Sequence, residues 1–127
     1  MNTQSLYLRI ASVLGGLAVA LGAFGAHGLK QRLPEEMLQI FEVGVRYQFY
    51  HALAMLAIAV VATRLWESRL TSAACAAWTL GVILFSGSLY LLALTGARWI
   101  GAITPFGGMA FIVGWAMLFF AAAATLR

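Results

Sequence analysis

The stretch LTSAACAAWTLGVILFSGSLYLLALTGA, residues 70–97, runs for 28 residues without a Lys, Arg, Asp or Glu. A bilayer core of about 30 Å is crossed by about 20 apolar residues at a rise of about 1.5 Å each, so this stretch is long enough to span a membrane as a helix. Lipid offers no hydrogen-bond partner to the backbone, and a spanning segment must therefore bond its own N–H and C=O groups. The stretch predicts a transmembrane α-helix.

Three further stretches of the chain are also free of charged residues. They lie at positions 10–29, 47–63 and 99–126, and their lengths are 20, 17 and 28 residues. The whole chain has 63% hydrophobic and only 9% charged residues, whereas soluble domains carry about 25% charged residues. The sequence therefore predicts an all-α integral membrane four-helix bundle, built from two antiparallel helical hairpins.

The length of 127 residues leaves room for one domain, so we expect a single transmembrane domain over residues 1–127. The expected helices cover positions 6–28, 43–63, 70–94 and 104–126. Pro34 followed by Glu35 and Glu36 is typical of a helix start, because Pro lacks the N–H that would be unpaired there and acids suit the positive end of the helix dipole. We expect a short interfacial helix over 34–42, with a bend near Gly44 into the second span.

The charged residues of the chain sit mainly at the ends of the apolar stretches. The formal net charge of +4 comes from Arg and Lys at positions where they anchor a helix and contact phospholipid. We interpret this charge as membrane flanking, and expect membrane lipids and not nucleic acid as partners. Cys75 is the one cysteine, so it forms no intrachain disulfide or Cys-based metal site and is expected to be a small core residue. We expect no metal and no cofactor.

Small residues recur at four-residue spacing in three of the predicted spans. Helices in lipid associate through close approach of their backbones, so these positions predict helix–helix contacts ahead of a ligand-approach role. The expected packing positions are Ala18, Gly22, Gly25, Ala26, Gly81, Gly107, Gly108, Ala110 and Gly114. Faces of this kind also offer a surface to a second copy of the chain or to another membrane protein.

Polar side chains concentrate in the half of the bundle nearest the first and third connections. The first two spans form a hairpin and the third returns to the same side, which brings these side chains to one level of the membrane. The candidate polar cluster comprises His27, Glu42, Arg46, Tyr47, Tyr50, His51, Ser86, Ser88 and Tyr90.

A charged side chain in a membrane helix costs about 2.5–3.5 kcal/mol on insertion scales, so its presence is a functional hypothesis by default. Glu42 and Arg46 are one turn apart near the interface, which favours a structural salt bridge over a substrate or proton role. His51 lies deeper and is either a core histidine with satisfied nitrogens or a titratable group suited to proton handling. His27 is expected to bond loose carbonyls at its helix end, and Trp115 to fill the core.

Three classes of function fit these residues. A non-catalytic accessory or assembly protein would use the polar cluster only to fix helix register, and the cluster would then be filled and closed. A small carrier or channel subunit would bind an ion or small polar ligand with Glu42, Arg46 and His51, and would need a hydrated pocket open to one side. In a redox protein, His27 and His51 would be axial haem ligands, for which two histidines alone are a weak signal.

An enzyme is the less favoured class. The chain contains no Asp, no phosphate-binding Gly-rich loop ending in Lys-Ser or Lys-Thr, and no pair of His on one helix face. A hydrolase needs a nucleophile with a base in reach, and Ser86 or Ser88 with His51 is the only conceivable set. No local motif supports that set, so we assign no catalytic residue.

Four blocks of sequence are distinctive: GAFGAHGL at 22–29, FEVGVRYQFYHAL at 41–53, FSGSLY at 85–90, and TPFGG at 104–108 with Gly114 and Trp115 beyond it. In this order they resemble the family of small membrane proteins known as domain of unknown function 423, which includes the transmembrane protein 256 group. The resemblance covers nearly the whole chain. It implies a four-helix integral membrane protein, in bacteria of the inner membrane, and no established activity. Phe106 is a small departure, because an aliphatic residue is expected there.

The number of spans places both termini on one side of the membrane. Four basic residues flank each side, and the count near the first and third connections falls to three if Arg46 is embedded. By the positive-inside rule this favours a cytoplasmic location for both termini, although the flanks of the first span alone favour the opposite orientation.

Overall fold

The helices of the protein are seen in a computed structural model that describes residues 2–126. Helix α1 spans Thr3–His27, and α2 spans Glu35–Val61. A 3-10 turn at Thr63–Glu67 leads into α3, Arg69–Gly81, which continues through a π-helical turn at Val82–Ser86 into α4, Gly87–Thr95. A second 3-10 turn at Arg98–Ala102 precedes α5, Thr104–Thr125.

Four helical stretches are long and apolar enough to cross a membrane. They are Thr3–His27, Glu35–Val61, Arg69–Thr95 and Arg98–Thr125. Residues 2–126 contain no strand. The prediction of an all-α membrane protein with four spans is therefore confirmed.

The second span differs in detail from the sequence-based expectation. Positions 34–42 do not form a separate interfacial helix, because α2 begins at Glu35 and runs unbroken through Gly44 to its end. Gly44 is buried, and a Cβ added there would lie 2.8 Å from Cε1 of Tyr90. This glycine marks a close approach of α4 to α2, and the neighbouring helix supports α2 where a bend was expected.

The bundle is made of two antiparallel pairs. Helix α1 packs along α2, α3 packs along α5, and α2 joins the pairs by packing against α4 and the π-helical turn. One apolar core cluster lies toward the termini and contains Ala11, Met55, Cys75, Trp78, Val82 and Phe111. The other lies toward the first and third connections and contains Leu29, Met37, Phe41, Leu92, Ala93 and Ile100.

Glycines allow the tightest contacts of α5 with α3 and the π-helical turn. A Cβ on Gly107 would overlap the backbone of Phe85, and one on Gly81 would overlap the ring of Phe111. A Cβ on Gly114 would lie 2.5 Å from the indole of Trp78. Gly108 has more room, since its Cβ would lie 3.9 Å from Phe85. Ala110 is half-buried.

Small residues of α1 face α2 less tightly. Ala18 is buried, and a Cβ on Gly22 would lie 3.3 Å from Cγ1 of Val45. A Cβ on Gly25 would lie 3.1 Å from the ring of Phe41. Ala26 is exposed, so it is at the edge of this contact and not within it.

Candidate functional site

The side chains of the candidate polar cluster fall into separate groups in the structure. Glu42 and Arg46 form an exposed ion pair on α2. Ser86, Ser88 and Tyr90 belong to buried or half-buried hydrogen bonds between helices. His51 is enclosed by aromatic rings. The cluster that the sequence places at one membrane level is thus not one continuous site.

The ion pair lies on the outer surface of the hairpin of α1 and α2. Nη2 of Arg46 donates to Oε1 of Glu42 at 2.7 Å, one helical turn away. The side chains of Arg46 and Glu42 remain 57% and 59% exposed. The acid is N-terminal to the base, which is the favourable order on a helix. Each charge is therefore balanced locally and stays accessible from outside the bundle.

A buried amide, Gln48, is the centre of the polar contacts between three helices. It is 3% exposed. Its Nε2 donates to the carbonyl of Leu14 in α1 at 2.8 Å, and its Oε1 accepts the hydroxyl of Tyr90 in α4 at 2.7 Å. Sequence reasoning missed this residue. An amide inside the 17-residue charge-free stretch at 47–63 was the available signal, because a buried amide in lipid requires partners.

Ser86 bonds the second hairpin to α2, and Ser88 bonds the two helices of the second hairpin to each other. Oγ of Ser86 is buried and donates to the carbonyl of Gly44 at 2.7 Å, which ties the π-helical turn to α2. Oγ of Ser88 shares a hydrogen bond of 2.6 Å with Oγ1 of Thr104, which ties α4 to the start of α5. Both hydroxyls are therefore engaged in contacts between helices.

His51 has a partner on each ring nitrogen. Nε1 of Trp115 donates to Nε2 of His51 at 3.1 Å, and Nδ1 of His51 lies 2.7 Å from the carbonyl of Tyr47. An indole N–H only donates and a carbonyl only accepts. Nε2 must therefore be the acceptor and Nδ1 must carry the proton, so the contacts assign a neutral imidazole of one tautomer.

The surroundings of His51 are aromatic. The imidazole is 5% exposed and stacks on Phe111 with the ring centroids 3.7 Å apart and the planes inclined by 7°. Trp78 and Trp115 approach it edge-on, with centroids at 5.8 Å and 6.0 Å. A second proton on this ring would displace the indole donor and place a charge among apolar rings, which is costly. This geometry fits the core-histidine interpretation.

The role expected for Trp115 has to be corrected. Trp115 was expected to fill the core, but it is 48% exposed, whereas Trp78 is completely buried. Trp115 lies against His51 with one edge and faces outward with the other. Its position follows from its indole N–H, which needs a hydrogen-bond partner and finds one on the imidazole.

His27 does not bond the loose carbonyls at its helix end. It is the last residue of α1, it is exposed, and its side chain forms no hydrogen bond with any residue in 2–126. The backbone N–H groups of Gly28 and Leu29 bond the carbonyl of Phe24 instead, at 2.7 Å and 3.0 Å. Haem ligation by His27 and His51 would further require His51 to give up a nitrogen that already has a partner.

The remaining tyrosines of the cluster lie on α2. Tyr47 and Tyr50 are both exposed, with their ring centroids 5.7 Å apart. Tyr47 also packs on Phe85 at 4.8 Å. Tyr47 contributes its carbonyl to His51 but its phenol forms no hydrogen bond with residues 2–126. Among the same residues, no group of three His, Cys, Asp or Glu side chains is arranged to hold a metal ion.

Comparison with known proteins gives a consistent set of relatives. A family model described as "Protein of unknown function (DUF423)" matches residues 21–108. The UPF0382 membrane protein YwdK of Bacillus subtilis (strain 168) is 44% identical over 121 residues, which cover 94% of this chain and 97% of that protein. The UPF0382 membrane protein SSP2132 of Staphylococcus saprophyticus is 45% identical over 117 residues, covering 87% of this chain and 94% of that protein.

A relative with a more specific name is the UPF0382 inner membrane protein YgdD of Escherichia coli (strain K12). It is 38% identical over 122 residues, which cover 91% of this chain and 88% of that protein. No solved structure gives a significant match.

Proposed function

This chain belongs to the DUF423 family, whose members include UPF0382 membrane proteins, and we propose that it is a non-catalytic accessory or assembly protein of the bacterial inner membrane. In this role its buried polar groups fix the register of the helices, and its outer helix faces meet lipids and a protein partner. The partner is a second copy of the chain or another membrane protein.

The observation that carries the proposal is the internal pairing of the buried polar groups. Within residues 2–126, every buried side-chain nitrogen and oxygen has a hydrogen-bond partner. Gln48, Ser86 and His51 each bond an atom on a different helix or helical turn. A carrier would instead need such groups to be available to its ligand. The buried part of the cluster, around Gln48, Ser86 and His51, is therefore filled and closed, as an assembly protein requires.

The placement of the serines supports a non-catalytic role. Ser86 gives its hydroxyl hydrogen to the carbonyl of Gly44, and Nε2 of His51 is occupied by Trp115. A serine nucleophile needs a base within hydrogen-bond reach. No hydrogen bond between His51 and Ser86 or Ser88 occurs in the described chain.

The outer face of α1 suits a protein partner. A smaller share of α1 is buried than of any other span. Ser12, Gly16 and Ala20 are exposed at four-residue spacing, and a Cβ on Gly16 would meet no atom within 4 Å. Small residues spaced in this way let a second helix approach closely in lipid. We assign this face to the partner.

The charge distribution supports termini on the cytoplasmic side. Arg46 lies within α2, about three turns beyond its first residue Glu35, so we count it as embedded in the span and not as a flanking residue. The remaining count is then three basic residues near the first and third connections against four near the termini. The positive-inside rule places the more basic side in the cytoplasm.

The test is crosslinking of the full chain in its own membrane, followed by native mass spectrometry after gentle extraction. A photoreactive residue at Gly16 or Ala20 is expected to give one discrete crosslinked protein, and the same residue at the exposed Val60 of α2 is the matched control. A product of twice the mass of the chain identifies a second copy, and any other mass identifies a foreign subunit.

Two outcomes would contradict the assembly role. One is the absence of any crosslink from α1 when the protein is folded. The other is a recurrent small non-lipid mass that is lost in His51→Ala, which would favour the small carrier or channel subunit. A visible absorbance scan of the same sample would detect haem.

A further inference from the structure

The hairpin of α1 and α2 carries a charged cleft on its outer surface, at the end nearest its own connection. The cleft has a volume of about 410 Å³, which is within the range of about 300–1,000 Å³ typical of small-molecule sites. Its charged residues are Lys30, Glu35, Glu42 and Arg46. Its wall on the α1 side consists of small residues, among them Ala26. We call it the headgroup cleft.

The four charges of the headgroup cleft are not equally neutralised. Glu42 and Arg46 are paired at 2.7 Å. Lys30 and Glu35 form no salt bridge with any residue in 2–126, and Glu35 accepts only a long hydrogen bond of 3.4 Å from Gln39. The cleft therefore presents one unpaired ammonium and one unpaired carboxylate, with a net charge of zero over its four ionisable side chains.

An apolar groove continues from the headgroup cleft toward the membrane interior. It has a volume of about 240 Å³ and is lined by Ala18, Val19, Phe49 and Tyr50. Val45 and Arg46 line both cavities, so the two are adjacent. From Ala26 to Ala18 the wall formed by α1 descends by eight residues, or about 12 Å. We call this part the acyl groove.

We propose that the headgroup cleft and the acyl groove together bind one zwitterionic phospholipid whose headgroup carries a phosphate and a primary ammonium. Lys30 pairs with the phosphate, Glu35 accepts hydrogen bonds from the ammonium, and one acyl chain lies in the acyl groove. The polar end of the site is at the membrane edge and the apolar end points inward, which is the orientation of a phospholipid in the bilayer.

The charge pattern selects among headgroups. Basic pockets between membrane helices bind anionic lipids, but here Glu35 and Glu42 balance Lys30 and Arg46. An anionic headgroup would leave Glu35 facing negative charge without a cation. A quaternary ammonium lacks an N–H to donate to the carboxylate, so a primary ammonium fits better. The site is on the α2 side of α1, and its occupancy does not depend on the assembly role proposed above.

The experiment is native mass spectrometry of the purified full chain with three lipids of identical acyl chains: phosphatidylethanolamine, phosphatidylcholine and phosphatidylglycerol. We expect one phosphatidylethanolamine to be retained in preference to the other two. Lys30→Ala and Glu35→Gln are each expected to lower its retention about ten- to a hundredfold, the effect of losing one charge-assisted hydrogen bond. Arg32→Ala removes another exposed cation from the same connection and is expected to leave the retention unchanged.

A second pair of variants tests the shape of the headgroup cleft without altering its charge. Ala26→Leu fills the wall of the cleft and is expected to displace the lipid, whereas Ala23→Leu adds the same atoms at another exposed position of α1 and is expected to keep it. Thermal unfolding of each variant confirms that it is folded. Equal retention of the three lipids, preference for phosphatidylglycerol, or equal loss in Arg32→Ala and Lys30→Ala would each overturn the proposal.

Discussion

The indole nitrogen of Trp115 on α5 lies 3.1 Å from Nε2 of His51 on α2 and donates to it. This contact joins the two hairpins of the bundle through a residue that is half exposed and one that is buried. Because the other nitrogen of His51 faces the carbonyl of Tyr47, the contact also determines which tautomer is present. His51, which the sequence leaves open as a core histidine or a titratable group, thus connects α2 and α5 in the fold.

Replacement of Trp115 by Phe is expected to destabilise the protein, because the change removes the indole N–H that donates to a buried ring nitrogen of His51. An unpaired buried acceptor costs about 1–3 kcal/mol. Thermal unfolding in detergent measures the change, and Trp99→Phe in the exposed turn before α5 is the control. Equal melting temperatures for Trp115→Phe and the wild type would show that His51 does not depend on this bond.

Substitutions at Gln48 and Tyr90 are expected to be coupled, since the Tyr90 hydroxyl donates to Oε1 of Gln48 at 2.7 Å. Gln48→Leu and Tyr90→Phe should each lower the free energy of unfolding. The double variant should lose less free energy than the sum of the two single losses. Coupling energies between membrane helices average about 0.6 kcal/mol and reach about 1.7 kcal/mol. A double-mutant cycle by thermal unfolding gives the value. Gln39→Leu, at an exposed position of α2, serves as control, and strict additivity would argue against the bond.

The number of spans and their apolar character could be predicted from the sequence because they depend on local composition alone. The 28 charge-free residues at 70–97 require a helix in lipid whatever their neighbours are. The uninterrupted course of α2 through Gly44 was not predictable in this way. A glycine in a helix indicates either a bend or a close contact, and only the presence of Tyr90 beside it decides between them.

The polar residues inside the spans could be identified from the sequence, but their division into separate groups and their connections could not. Helical periodicity places Glu42 and Arg46 one turn apart, and their pairing follows from that spacing. The bond between His51 and Trp115 joins residues 64 positions apart, so it depends on how α5 packs against α2. Gln48 was missed for a related reason. The sequence shows an amide inside a span, but it does not show which helices carry its hydrogen-bond partners.

Neutralisation of the exposed ion pair is expected to leave the fold intact. Glu42→Gln and Arg46→Gln each remove a charge from the surface, where more than half of both side chains is already exposed. Exposed ion pairs contribute little to stability, so the melting temperature in detergent should change by only a few degrees. His51→Ala leaves a cavity at a buried site, so it should lower the melting temperature more than either surface variant does. A loss of folded protein in Glu42→Gln would show instead that the pair holds α2 in place.

Two adjacent glycines of α5 provide a sharp test of the packing within the second hairpin. Gly107→Ala is expected to be strongly destabilising, because its methyl group would overlap the backbone of Phe85, which cannot rotate away as a side chain would. Overpacking of this kind costs about 1–3 kcal/mol or more. Gly108→Ala makes the same chemical change where the nearest atom would be 3.9 Å away, so it should be tolerated. The yield of monodisperse protein and its thermal unfolding compare the two variants. Equal yields and equal melting temperatures for Gly107→Ala and Gly108→Ala would mean that α5 does not contact the π-helical turn closely in the membrane.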